Sequence, residues 1–125
     1  MILGIGIDSI EIARFTHWPT RPRAYLRRIY TPEELDYCLQ DPRKCSERLA
    51  IRFAAKEACY KALMAAFPCF KIPFLTFAPR CQIKKDKLIP FIEIEPHSDL
   101  PPLSILISLT HTRKEASAYA LVQKV

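Results

Sequence analysis

The hydrophobic pattern begins with a short segment that is rich in isoleucine. Residues 2–7 contain Gly4 and Gly6 between apolar side chains, which predicts a β-strand that another backbone can approach closely. The next segment, residues 8–15, predicts a switch from strand to helix with Ser9 as the N-cap. We therefore expect the chain to open with one strand followed directly by a helical region.

Two helix starts follow in the polar pattern. Thr31 is followed by a proline and, three residues later, by Glu34, which predicts an N-cap with a capping box. Asp41, again followed by a proline, predicts the start of a long helix that runs to about Phe67, where a third proline ends it. These signals indicate a helical block in the first half of the chain.

The second half of the chain favours strands. Residues 73–85 and 88–95 alternate or are rich in isoleucine and phenylalanine, with a turn predicted near Asp86. Residues 103–110 and 116–123 form a second pair with hairpin spacing. One N-terminal strand, a helical block with one long central helix and mostly antiparallel strands predict an α+β fold.

Composition narrows the class of protein. The 125 residues are 50% hydrophobic and 26% charged, which predicts a single globular domain over residues 1–125. The net charge of +6 favours a negatively charged partner: nucleic acid, a membrane surface, a phosphorylated ligand or an acidic protein. Five cysteines without a C-x-x-C pair indicate neither a disulfide framework nor a zinc site. With no signal peptide and no apolar run of membrane-spanning length, we expect a cytoplasmic protein.

The central helix carries charged residues among apolar ones. At steps of about 100° per residue, large apolar side chains form one face and small ones form a second stripe. The large face comprises Leu49, Phe53, Tyr60, Met64 and Phe67. The small stripe comprises Ala50, Ala54, Ala58 and Ala62, and it suits close packing against another element. Lys56 falls within the large face, whereas Glu57 and Lys61 lie in the seam between the two.

The charges on this helix are not balanced. Arg48, Arg52 and Lys56 form a basic row at a spacing of four residues, and together with Lys61 they exceed what Glu57 can neutralise. Since buried ions cost several kcal/mol each unless they are paired, we expect an anion there, and phosphate is the obvious candidate. The alternative is a simple ion pair between Glu57 and Lys61 at the edge of the core.

Two further residues complete a candidate site. Asp8 is expected at the end of the first strand, where it serves either as a helix cap or, together with Glu57, as a ligand of a divalent cation. Magnesium commonly uses one or two carboxylates, with phosphates and waters as the other ligands. His111 follows the apolar run that ends in residues 108–112 and is a candidate for phosphate contact or proton transfer, with a structural role as the alternative.

Three segments together resemble one enzyme family. The sequences "GIGIDSIEIARF" at 4–15, "RFAAKEACYKAL" at 52–63 and "SLTHT" at 108–112 are similar to motifs of the holo-acyl-carrier-protein synthases, the small trimeric branch of the 4'-phosphopantetheinyl transferases. The resemblance implies that family's fold and a cytoplasmic homotrimer active in fatty acid biosynthesis. It also implies Mg2+-dependent transfer of 4'-phosphopantetheine from coenzyme A to a serine of acyl carrier protein, with neither nucleic acid nor membrane as partner.

The resemblance also implies roles for individual residues. By position, Asp8 and Glu57 correspond to the magnesium ligands, and with Lys61 they form the expected catalytic set. Lys61, Arg52 and His111 correspond to contacts with the phosphates of coenzyme A. The implied reaction is attack by the carrier's serine hydroxyl on the β-phosphate of coenzyme A, which releases adenosine 3',5'-bisphosphate.

A basic segment near the N-terminus is the candidate for partner binding. Arg14 corresponds to the family's docking surface for acyl carrier protein, and we expect Arg21, Arg27 and Arg28 to extend this surface towards an acidic partner. The main alternative is a nucleic-acid-binding domain, because the arginines of residues 21–30 interleave with tyrosines.

The chain departs from the family pattern at three places. Thr110 replaces the usual serine before the histidine, and residues 64–74 and 84–90 lack the family's loop and hairpin glycines. These departures keep open a third alternative, an inactive family member that serves as an interaction module.

Overall fold

The computed structural model describes residues 1–97 and 100–125. The helices are α1 (Arg23–Leu26), α2 (Pro32–Cys38), α3 (Cys45–Ala66) and α4 (Phe74–Phe77). The strands are β1 (Ile2–Glu11), β2 (Cys81–Asp86), β3 (Ile89–Ile94), β4 (Leu103–His111) and β5 (Glu115–Lys124). Single turns of 3-10 helix lie at Ile12–Phe15, Trp18–Thr20 and Ala78–Arg80. Across the two described ranges, no helix combines the length and the apolar character needed to cross a membrane.

The strands form two antiparallel sheets. The larger sheet has the order β1-β5-β4, so β5 lies in the middle, and α3 packs on its inner face. The smaller sheet is the β2–β3 hairpin, whose turn follows Asp86 as predicted. Lys87 takes the left-handed conformation in this turn (φ 58°). The predicted α+β architecture, with an N-terminal strand, a helical block and antiparallel strands, is confirmed.

The close contact between α3 and β1 explains both the glycines and the alanine stripe. All four alanines of the stripe are fully buried. A Cβ atom added at Gly6 would overlap the carbonyl oxygen of Ala58, and one added at Gly4 would overlap that of Ala62. Since only glycine leaves room for the helix backbone at this distance, the prediction of close backbone approach is confirmed.

The capping signals predicted the start of α2 and the end of α3, but not the start of α3. The capping box at the start of α2 is confirmed: the Glu34 N–H donates to Thr31 Oγ1 at 3.2 Å, and the Thr31 N–H donates to Glu34 Oε1 at 2.8 Å. The predicted start of the long helix at Asp41 is wrong, because that side chain accepts an N–H within a turn and α3 begins at Cys45. Its end at Ala66 lies within one residue of the predicted position.

Ser9 is not a helix cap, which corrects the sequence prediction. It lies inside β1, and its Oγ atom is 2.7 Å from the Oγ of Ser117 on the neighbouring strand. The strand continues to Glu11 because its pairing with β5 continues to that residue. Asp8 was expected at the end of the first strand, but it lies within β1.

The segment 73–85 was predicted as a strand, and only its second part is one. Phe74 and Phe77 are three residues apart, which is the spacing of one face of α4, and Phe70 lies before this helix. All three rings contact the ring of Tyr60 on α3, with centroid distances of 6.0, 5.6 and 5.6 Å. Packing on Tyr60 thus accounts for the short helix α4, and β2 begins only at Cys81.

Candidate active site

Three of the predicted site residues converge where β1 meets α3. Asp8 lies on the same side of β1 as the two glycines and therefore faces the helix. Lys61 Nζ is 3.1 Å from Asp8 Oδ1, and it also donates to the Ile7 carbonyl oxygen at 3.1 Å. Glu57 lies one helical turn before Lys61. In the described part of the chain, Lys61 pairs with Asp8 rather than with Glu57, so the predicted alternative of a simple Glu57–Lys61 pair is wrong.

The electrostatics of this cluster favour a bound cation. Burial and the neighbouring charge of Asp8 raise the pKa of Glu57, and the charge of Lys61 lowers it by less. The ammonium group of Lys61 pairs with Asp8 and leaves Glu57 unpaired with it, so the three side chains, when ionised, carry a net negative charge. Carboxylate oxygens beside a phosphate ligand are the donors that hard divalent cations prefer.

A second group of predicted residues lines a basic depression. Its volume is about 350 Å³, and α3, the β2–β3 hairpin and the end of β4 form its walls. The basic side chains that line it are Lys44, Arg48, Arg52, Lys85 and His111. The depression brings together Arg52 and His111, as the sequence predicted, and adds three basic residues that were not assigned to a site.

Arg52 is held in an unusual environment for a guanidinium group. It is only 5% exposed, and its Nε atom is the one buried side-chain nitrogen or oxygen in the described residues without a hydrogen-bond partner. Its Cζ atom lies 4.3 Å from the centroid of the Tyr37 ring. A buried donor without an acceptor is costly, so this group suits an anionic ligand.

Glu47 is a neighbour of His111 that the sequence did not reveal. Its Oε1 atom lies 2.9 Å from His111 Nε2, and both side chains are partly exposed at the edge of the depression. An acidic residue in the first turn of a helix has an ordinary explanation in the helix dipole, so its position gave no signal of this contact.

Lys56 does not belong to the basic depression, and the prediction that it contributes to an unbalanced charge is wrong. The side chain is fully buried, and Nζ donates to Glu34 Oε1 at 2.6 Å. It also donates to the carbonyl oxygens of Ile29, Ala78 and Cys81 at 2.9, 2.7 and 2.5 Å. Glu34 matches the charge of Lys56, so the phosphate prediction rests on the other basic residues.

The basic segment near the N-terminus lies at the surface. Arg14 lies within the 3-10 turn that follows β1, and Arg21, Arg27 and Arg28 flank α1; all four are exposed. The guanidinium groups of Arg21 and Arg28 lie 4.8 and 5.8 Å from the centroid of the Tyr25 ring. Each of these exposed arginines is accessible to a negatively charged partner.

Comparisons with known proteins match the chain to one superfamily. Residues 4–99 match the 4'-phosphopantetheinyl transferase superfamily. A holo-[acyl-carrier-protein] synthase of Treponema denticola is 33% identical, over 98% of this chain and 99% of that protein. The same enzyme of Bacillus subtilis is 35% identical, over 100% of this chain and 98% of that protein.

A solved structure shows the same fold. The crystal structure of a holo-(acyl-carrier-protein) synthase from Bacillus anthracis in complex with CoA (3',5'-ADP) superposes with a TM-score of 0.76 and 26% identity, and it covers 100% of this chain and 99% of that one. The match to the superfamily and the similarity to two full-length relatives lead to one conclusion. The chain belongs to the 4'-phosphopantetheinyl transferase superfamily.

Proposed function

We propose that the chain forms a single transferase domain that moves 4'-phosphopantetheine from coenzyme A to a serine hydroxyl of apo-acyl carrier protein. The products are holo-acyl carrier protein and adenosine 3',5'-bisphosphate, and we assign the reaction to fatty acid biosynthesis in the cytoplasm. The observation that carries this proposal is the convergence of Asp8, Glu57 and Lys61 from two distant segments of the chain. The full-length similarity to holo-[acyl-carrier-protein] synthases supports it.

Magnesium fits the carboxylate pair. Asp8 and Glu57 provide two partly buried carboxylates, and among the described residues Lys61 is the cation that offsets their charge, so a divalent cation there would relieve the repulsion between them. When bound, Mg2+ would reduce the negative charge on the pyrophosphate of coenzyme A and so favour attack on it. We propose Asp8 and Glu57 as its protein ligands.

Lys61 and the basic depression would hold the rest of the substrate. Lys61 lies beside the carboxylate pair, where its ammonium group can bind a pyrophosphate oxygen. Arg52 and His111 line the depression, and we assign them to the 3'-phosphate. Held in this way, the β-phosphorus accepts the serine oxygen on one side while its bond to the leaving adenosine 3',5'-bisphosphate breaks on the other.

The exposed arginines supply a docking surface for the second substrate. We propose that Arg14, Arg21, Arg27 and Arg28 attract an acidic carrier protein, since charges of one sign on an exposed surface accelerate association with a partner of opposite sign. The carrier's serine then approaches the phosphates bound near Asp8. A nucleic-acid partner would use the same positive charge but would not require the carboxylate pair.

A homotrimer is the assembly that we propose. The outer face of the larger sheet exposes several large apolar side chains, with exposed fractions from 48 to 60%. These side chains are Ile5, Ile7, Leu106 and Tyr119. A contiguous apolar face of this kind commonly marks a protein–protein interface. Sedimentation equilibrium of the wild type and of I7E, which places a charge on this face, tests the assignment; an I7E variant with unchanged mass would contradict it.

Mass spectrometry tests the activity. The chain is incubated with coenzyme A, Mg2+ and an apo-acyl carrier protein, and we expect the carrier to gain the mass of phosphopantetheine on its serine. E57Q and a reaction with excess chelator serve as controls, and both should give no gain. If the wild type leaves the carrier unmodified while binding arbitrary nucleic acid tightly, the proposed function is wrong.

A further inference from the structure

Tyr37 contacts both guanidinium groups of the basic depression. The Cζ atoms of Arg48 and Arg52 lie 4.1 and 4.3 Å from the centroid of its ring. The backbone carbonyl oxygen of Tyr37 also accepts a hydrogen bond of 2.9 Å from Arg48 Nη1. Tyr37 itself is half-buried near the end of α2, the helix whose start is fixed by the capping box.

This arrangement solves a problem that two neighbouring arginines create. Arg48 and Arg52 lie one helical turn apart, and like charges at this spacing repel each other. A carboxylate between them would remove the repulsion, but it would also occupy the N–H groups that a phosphate needs. The face of an aromatic ring attracts cations within about 6 Å without accepting their N–H hydrogens in conventional hydrogen bonds.

The state of Arg52 is consistent with such a role. Its Nε atom is buried and has no acceptor among the described residues, although leaving a buried donor without an acceptor costs free energy. Both arginines line the same depression as His111 and Lys44. The ring of Tyr37 therefore holds the two cations at the depression without accepting their N–H groups in conventional hydrogen bonds.

We propose that Tyr37 is a positioning residue for phosphate binding: its ring holds Arg48 and Arg52 ready for the phosphate groups of the nucleotide substrate. This inference rests on the proposed function, in which the depression binds the phosphates of coenzyme A. Tyr37 acts through the two arginines, and the property that matters is the electron-rich ring face rather than the hydroxyl group.

Calorimetric titration with adenosine 3',5'-bisphosphate tests this role. Y37F keeps the ring and should bind within twofold of the wild type. Y37L removes both cation–π contacts and should bind roughly tenfold more weakly, as expected for two such contacts at a partly exposed site. In the transfer reaction, Y37L should raise the KM for coenzyme A and leave kcat within about twofold, because the reacting groups are untouched.

Fluorinated phenylalanines at position 37 separate the ring's electrostatics from its packing. Adding one, two and three fluorine atoms withdraws charge from the ring face with little change in shape, so folding is preserved, and affinity should fall stepwise along the series. Y25L is the matched control, since Tyr25 also lies against two arginines but outside the depression. It should leave affinity for adenosine 3',5'-bisphosphate unchanged.

The outcomes distinguish this inference from the function on which it rests. If the wild type binds the nucleotide and Y37L or the fluorinated series binds equally well, the positioning role is wrong and the proposed function stands. A Y37F variant as weak as Y37L would assign the effect to the hydroxyl group and overturn the role of the ring. If the wild type does not bind adenosine 3',5'-bisphosphate, both proposals are wrong.

Discussion

Replacing Lys56 by methionine tests the buried ion pair that joins α3 to α2. The ammonium group is fully buried and donates to one carboxylate oxygen and three backbone carbonyls. Methionine fills much of the same volume but provides no donor. The variant leaves Glu34, which is 2% exposed, as a buried carboxylate without its cation.

The size of the effect follows from these contacts. Removing one partner of a buried ion pair typically costs about 3–5 kcal/mol, because the other charge is left uncompensated. Glu34 keeps two N–H donors, from Thr31 and Ile83, which limits the loss. We therefore expect K56M to lower the free energy of unfolding by about 4 kcal/mol. A domain of this size has a total of about 5–15 kcal/mol, so the variant should be close to unfolded in water if the wild type lies at the low end.

Urea unfolding followed by far-ultraviolet circular dichroism at pH 7 measures this loss. The double variant E34Q/K56M should recover part of it, because the stranded negative charge is gone. K84M is the control: it breaks the exposed pair between Lys84 and Glu93, and its unfolding midpoint should match that of the wild type. A K56M variant that loses less than about 1 kcal/mol, or a double variant less stable than K56M, would refute the reasoning.

Three further predictions concern the site. E57Q should abolish transfer yet unfold at higher urea than the wild type at pH 7 in Mg2+-free buffer. The raised pKa of Glu57 means that its charge is disfavoured on folding, and this penalty is present at pH 7 and absent at pH 3. The same gain at both pH values would contradict this origin. In calorimetric titrations, R52A and H111A should each weaken binding of coenzyme A more than of dephospho-coenzyme A, whereas K61A should weaken both equally; equal losses with R52A would refute its assignment. R14E should raise the KM for the carrier and not that for coenzyme A, and a rise in both would indicate a folding defect.

Local signals in the sequence predicted much of the fold. The capping box of Thr31 and Glu34 involves residues within one helical turn, so it can be recognised from the sequence alone. The alanine stripe and Gly6 were also informative, because small residues indicate a close contact between backbones even though the sequence does not show which element makes it. Phe74 was misassigned because aromatic residues favour strands in general, whereas here the ring of a distant residue selects the helix.

In the candidate site, too, local sequence signals do not show contacts between residues that are distant along the chain. The motif residues Glu57 and Lys61 lie on one helix, and their proximity follows from spacing alone. The partner of Lys56 is Glu34, 22 positions away. Because the capping box already accounted for Glu34, nothing in the sequence indicated this ion pair. The contact of His111 with Glu47 joins the end of a strand to the first turn of a helix, which only the tertiary structure brings together.

The position of β5 has a consequence for how the protein is made. β5 is the last of the described strands along the chain and lies between β1 and β4, so this sheet cannot form before residue 124 has left the ribosome. Until then β1, which carries one of the two carboxylates, has no strand partner in its sheet. The nascent chain must therefore keep β1 unpaired while the residues between β1 and β5 are synthesised, and an exposed strand edge of this kind promotes aggregation unless chaperones protect it.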